Sequence, residues 1–232
     1  MDRTLKVANV FSDPTRLNIY EHLVQSKDEV SVLDVAEAFN IHPNVARLHL
    51  SKLEEIHVIQ SSLLRTGKGG RPSRMYELSN NVVELNFPHR DYKMLSLIAF
   101  ETFAALGEEG EEALYRTGKK YGEKLIRPFI DKRNEKPLTI DEKLFILEEA
   151  GTMTGLYPHF TYDENKREVF LHIQNCPFKE VATSNPQIMC EMHKSFIKGM
   201  FNSLFDEFIL TEQSNLFKDC ESCSYRAKLI TN

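Results

Sequence analysis

No stretch of this 232-residue chain approaches the roughly 18 consecutive apolar residues that a membrane-spanning helix requires. Its first residues, MDRTLKVANV, lack the charged, apolar and small-residue regions of a secretion signal. The expected compartment is therefore cytoplasmic, with no membrane partner. No segment repeats internally, and none is of low complexity. Cysteine is absent from the first 175 residues; all four cysteines fall in the last 57. Catalytic signatures are missing too. There is no phosphate-binding glycine loop completed by Lys-Ser/Thr, no HExxH, no nucleophile elbow and no convincing acid pair. The expectation is a protein that is not an enzyme.

What is present describes a soluble globular chain. Hydrophobic residues make up 41% and charged residues 27%, ordinary values, and the length suits two domains. The net charge of −5 is unevenly spread. Residues 1–80 hold ten Lys+Arg against ten Asp+Glu, leaving nineteen against twenty-four in the remainder. A neutral first part with a local basic cluster is compatible with DNA, because affinity follows the phosphates neutralised rather than total charge.

The chain is organised around Val30–Leu78. Val32, Val35, Ala36 and Phe39 recur at helical spacing in VSVLDVAEAF, with Ser31 placed as N-cap. After the NIHP break, Pro43 opens a second helix, NVARLHLSKLEEI. Val45, His49, Leu53 and Ile56 fall on one of its sides, and Asn44, Arg47 and Ser51 on another. Arg donates to guanine, Asn pairs with adenine, and Ser bonds bases or phosphate. Two strand-like runs follow, Val58–Leu64 and Met75–Leu78, flanking TGKGGRPSR. Arg65, Lys68, Arg71 and Arg74 come within ten residues without an intervening acid, and Gly67, Gly69 and Gly70 permit close approach to phosphate. These seven polar and basic residues are the candidate DNA contacts.

Upstream, Leu5, Val10 and Phe11 mark a first helix; Asp13 caps a second, which starts at Pro14 and carries Leu17, Tyr20, Leu23 and Val24. Arg16 is expected at a phosphate or in solvent. The segments FSDPTRLNIYEHL, HPNVARLHLSKLEEIHVI and GKGGRPSRMYEL resemble the ArsR-like winged helix-turn-helix regulators of bacteria and archaea, over about the first third of the chain. That resemblance implies a transcription factor binding double-stranded DNA at a near-palindromic operator as a homodimer.

The expected fold class is α+β: a winged helix-turn-helix domain over 1–80, a helical linker or dimerisation segment over 81–152, and a cysteine-containing α+β sensor domain over 153–232. Helices are expected over 92–105, 111–130 and 138–150, the last with Thr139 as N-cap, Glu142 completing a capping box and Gly151 after its end. A hairpin is expected from 158–162 and 168–173, then a helix over 186–208, then short strands at 209–211 and 224–230.

The cysteines are Cys176, Cys190, Cys220 and Cys223. Cys220-Glu-Ser-Cys223 has the gap that lets two thiolates grip one metal from a tight turn. Four thiolates suit an iron–sulfur cluster or a tetrahedral zinc, and His193, three residues after Cys190, is a substitute ligand. The pattern NCPF…CxMH…CxxC resembles the sensor domain of the Suf-operon repressor group, which implies that all four cysteines hold an iron–sulfur cluster. The 29 residues between Cys190 and Cys220 exceed the gap in that group, so zinc stays open. The function expected is a DNA-binding regulator sensing redox state, nitric oxide or iron–sulfur status. One alternative pairs structural zinc with a small organic ligand among Phe100, Phe103, Tyr121, Phe129, Tyr157 and Phe170. A more distant one is a thiol-redox or metal enzyme using the CxxC.

Overall fold

The computed structural model describes residues 3–26, 28–64, 73–85, 88, 90–131, 137–217 and 222–230. The chain divides into two compact units, residues 1–90 and 91–232. The helices set apart in sequence as a linker thus belong to the second unit.

In the first unit, α1 (Arg3–Phe11) and α2 (Pro14–Gln25) precede a short strand, β1 (Val30–Ser31), and the pair α3 (Val32–Ala38) and α4 (Pro43–Glu55). The hairpin of β2 (Ile59–Leu64) and β3 (Ser73–Leu78) follows, and β3 lies between β1 and β2 in an antiparallel sheet. The starts follow local chemistry. Asp13 accepts from the Arg16 N–H with Pro14 behind it, and Ser31 and Asp34 form a reciprocal capping box. Those backbone donors hold the Asp13 and Asp34 carboxyls below their usual range. Ile19, Val35, Ala46, Leu50 and Leu53 are wholly enclosed and join Ile59 and Tyr76 in one core.

Several expected positions move. Leu5, Leu17 and Val45 face solvent, while Val7, Ile19, Ala46 and Leu50 take the buried sites. Of the side of this helix expected to face the core, His49, Leu53 and Ile56 are buried and only Val45 is not; Ala46 and Leu50 join them. Arg16 does not stand in open solvent: its Nη1 donates to the Val10 carbonyl at 2.8 Å and its Nη2 lies 3.5 Å from Asp13.

The second unit begins with α5 (Tyr92–Ala105), α6 (Glu108–Asp131) and α7 (Ile140–Met153). A hairpin of β4 (Pro158–Asp163) and β5 (Glu168–Ile173) follows, then the single turn α8 (Lys179–Ala182), α9 (Pro186–Asn202), β6 (Phe208–Ser214) and β7 (Cys223–Leu229). The antiparallel sheet runs β4-β5-β7-β6. One sheet face buries Val169, Leu171, Tyr225 and Ala227 in a core shared with Ile126, Ile146, Ile197 and Phe201 from the helices.

The reciprocal Thr139–Glu142 box starts α7 as expected, but Gly151 lies inside that helix, buried against Pro158. Exit falls instead to Gly155, at φ +78. The helix expected to reach 208 stops at Asn202, and residues 208–214 form an edge strand. The acidic run before 111 is the first turn of α6, where carboxylates meet the positive end of the helix.

Helices α6 and α9 pack backbone to backbone. Cβ atoms at Gly122 and Gly199 would overlap the carbonyl oxygens of Phe196 and Lys119, and one at Gly118 would stand 2.9 Å from that of Met192. Neither helix can yield locally, so Gly122→Ala is expected to cost at least ~2 kcal/mol of unfolding free energy, measured by denaturant unfolding of the whole chain.

Candidate nucleic-acid interface and thiol cluster

Helix α4 is two-faced. Ala46, His49, Leu50 and Leu53 enter the core, while Asn44, Arg47 and Ser51 face solvent on one stripe. Arg47 Nη1 donates to Asn44 Oδ1 at 3.3 Å, so the two side chains stand together. The helix starts at His42, whose Nδ1 accepts from the Asn44 N–H at 3.2 Å. Between this stripe and the hairpin lies an open groove of about 460 Å³ lined by Ser31, Pro43, Arg47, Ser51, Arg74 and Tyr76. A helix displaying hydrogen-bonding side chains beside a two-stranded hairpin matches how a recognition helix and wing meet a duplex. Arg65, Lys68 and Arg71 lie outside the described residues.

Arg74 is held within the protein. Its Nη2 donates to both oxygens of Glu54 at 2.9 and 3.0 Å, and its Nε to Ser61 Oγ at 2.8 Å. Ser61 in turn donates to Glu54 at 2.6 Å, and the guanidinium lies 5.5 Å from the Tyr76 ring centre. One side chain thereby ties α4 to β2 and β3. Arg74→Met is expected to lower the stability of the first unit by ~1 kcal/mol. Arg47→Ala, on the outer stripe, should change it by less than ~0.5 kcal/mol. Chemical denaturation of the two variants checks the contrast.

In the second unit the sheet brings three of the four cysteines to one end. Cys223 opens β7 opposite Ile173, the last residue of β5, and Cys176 follows three residues later. Cys190 Sγ, on α9, lies 3.8 Å from Oδ1 of Asn215, just beyond β6. No disulfide involves these three. Burial pushes the Cys176 thiol up to about 11; the Phe178 N–H on its sulfur opposes that shift, and the nearby Cys223 and Cys190 add to it. The Leu216 N–H donates to Cys223 Sγ at 3.5 Å. Backbone N–H groups aimed at sulfur favour the thiolate and tune whatever it ligates.

Among the described residues, no group of three or more His, Cys, Asp and Glu is set to hold a metal ion as it stands. Cys220 lies outside them. The donor chemistry nevertheless fits a thiolate-bound group: three thiols near one sheet end, two with N–H donors and the third beside Asn215.

His193 points elsewhere. It is 3% exposed, its ring meets Phe178 edge-on with centroids 5.2 Å apart, and its Nε2 has no hydrogen-bond partner. Burial drives its pKa down to about 4. The unfolded histidine takes up a proton near pH 6.5 and the folded one only near 4, so stability falls as pH drops across that window. In metal-free protein the loss should approach ~3 kcal/mol between pH 6.5 and 4, and His193→Phe should flatten it in urea unfolding at stepped pH.

The aromatic residues proposed as a ligand pocket do not line the enclosed apolar cavity of the second unit. Tyr121 is exposed. The apolar cavity between sheet and α9 holds only about 10 Å³, room for a water-sized body, and is lined by other residues, Leu156, Phe160 and Phe201 among them.

Residues 11–59 match the sequence pattern of a helix-turn-helix domain family. The first unit carries a helix-turn-helix domain. The matched span takes in α2, α3 and α4 and stops as β2 begins, so the helix-turn-helix covers the stripe of Asn44, Arg47 and Ser51. No functionally curated protein matches the sequence. Among solved structures, the chain is similar to the phenol-responsive sensory domain of the transcription activator PoxR, crystallised with phenol. Identity is 16% over 79% of this chain and 89% of that one, with a TM-score of 0.47. Likeness at that level carries no argument about ligand. No helix among the described residues is long and apolar enough to cross a membrane.

Proposed function

We propose that this chain is a transcription regulator. Its helix-turn-helix reads double-stranded DNA, and its second unit sets the DNA affinity through a cysteine-ligated iron–sulfur cluster. The observation that carries the DNA reading is the division of α4, whose core-facing residues anchor it while Asn44, Arg47 and Ser51 stand clear. Arg47 is assigned to guanine, Asn44 to adenine, and Ser51 to a base or phosphate. The wing residues Arg65, Lys68 and Arg71 are assigned to phosphate. Arg74 serves first to hold the wing on α4. A near-palindromic operator bound by a homodimer completes the reading, with half-sites about one helical turn, roughly 34–36 Å, apart.

Cys176, Cys190 and Cys223 are the ligands proposed from the described residues, with Cys220 as the fourth. The N–H groups of Phe178 and Leu216 favour the charged sulfurs of Cys176 and Cys223. Phe178 and Leu216 also supply apolar bulk beside them. When bound, the cluster supplies iron and sulfide that oxygen and nitric oxide attack. Its loss would leave Cys176 a buried thiol that resists ionisation. The proposed role is thus one like that of the Suf-operon repressor group, regulation rather than catalysis.

The test is DNA binding by full-length protein to sequences selected from a random duplex pool. Arg47→Ala is expected to cost ~1–3 kcal/mol on the selected sequence and far less on random duplex, measured by fluorescence anisotropy. Equal losses on both would contradict base reading by α4.

A further inference from the structure

Helix α4 leaves two large apolar side chains in water, Val45 at 41% exposed and Leu48 at 56%. A single exposed leucine is ordinary and calls for no partner. Here the position decides. At about 100° per residue, Asn44, Leu48 and Ser51 fall within about 60° of one another on the outer side of the helix, opposite the buried Leu50 and Leu53. Arg47 borders this strip on one flank, and Val45 with Lys52 on the other. Leu48 therefore stands in the middle of the surface assigned to base reading, one turn after Asn44 and one turn before Ser51.

The two halves of that surface differ. Towards the last turn it is charged and paired within the protein: Lys52 Nζ lies 2.9 Å from Glu55 Oε2, and Glu55 Oε1 lies 3.6 Å from Lys6 Nζ on α1. The exposed apolar groups gather in the first half, which is the half a recognition helix presents to base edges. Leu33, at the start of α3, is exposed too and lines the groove it shares with Arg47 and Ser51.

The base edges in the major groove offer one apolar group, the C5-methyl of thymine. Asn44, Arg47 and Ser51 supply donors and acceptors, and none of these gains from a methyl group. A leucine set against it takes apolar area of both partners out of water. We infer that Leu48, flanked by Val45, is a specificity-determining contact that selects thymine through its C5-methyl group. The inference rests on DNA reading by α4 and adds to it an apolar contact that the polar stripe does not supply.

Exchange of uracil for thymine tests it, because uracil keeps every donor and acceptor of thymine and lacks the methyl group. Duplexes selected by the full-length protein are made with each thymine replaced in turn, and affinity is followed by fluorescence anisotropy. Wild type is expected to bind about fourfold more weakly when the contacted thymine is replaced. Leu48→Ala should keep its circular dichroism spectrum, since the position faces water and alanine favours a helix. It should bind the thymine duplex at least about fourfold more weakly than wild type and be indifferent to uracil at that same position. Selected sequences without thymine would overturn the inference. So would a wild type indifferent to uracil at every position, or a Leu48→Ala variant as sensitive to it as wild type. If Arg47→Ala still separates selected from random duplex while these results fail, base reading by α4 stands and the thymine contact alone falls. If Arg47→Ala does not separate them, base reading itself falls.

Discussion

The second unit depends on the place where α6 and α9 meet with no side chain between them. Gly122 and Gly199 press against the opposing main chains, and Gly118 nearly does so. That approach fixes the depth at which α9 lies along the sheet. Residues carried by α9 inherit the placement: Ile197, Met200 and Phe201 fill the core, and Cys190 reaches the sheet end where Cys176 and Cys223 already lie. Open that contact by the width of a methyl group and the core loosens while the third thiol moves off the other two. Packing and candidate chemistry share one constraint.

The first unit solves a different problem, that of holding a helix firmly while leaving half of it bare. Leu50 and Leu53 anchor α4 from below and Glu54 ties its last turn to the hairpin through Arg74. Fixing both leaves the outer stripe no need to contribute to stability. A polar side chain that is free of structural duty is available to a partner, and here Arg47 donates to Asn44 on the exposed stripe. Arg74, by contrast, also braces the hairpin, its Nη2 donating to both oxygens of Glu54 twenty residues away while half of the side chain stays exposed.

Much of this was legible because local chemistry wrote it. The Asp13-Pro14 start, the Ser31 and Thr139 capping boxes, the β4–β5 hairpin and the order helix, turn, helix, hairpin all rest on neighbours a few residues apart. Errors arose where distant partners decide. His49, Leu53 and Ile56 face inward as hydrophobic spacing suggests, but Ala46 and Leu50 join them and Val45 does not, because packing against the rest of the unit sets the edges of that face. Gly151 reads as a terminator, yet it is a contact point for Pro158. Residues 203–207 look helical by their apolar content, but the chain turns there before the expected strand, β6, pairs with β7. Strand register brings Cys223 near Cys176, and the placement of α9 brings Cys190 to them, neither of which spacing can give. The glycines of α6 and α9 did carry a signal, small residues four apart at Gly118 and Gly122, that points to close helix packing and went unread.

The central claim joins a thiolate-held cluster to DNA affinity, and one measurement addresses both halves. Protein purified without oxygen is analysed for iron, sulfide and zinc, its visible absorption is recorded, and its affinity for a selected duplex is measured before and after the metal is removed by chelation. Expected is a brown protein containing iron and sulfide, whose DNA affinity changes at least about tenfold on bleaching. A colourless protein carrying zinc or no metal, or a brown one whose DNA affinity is indifferent to bleaching, would contradict it.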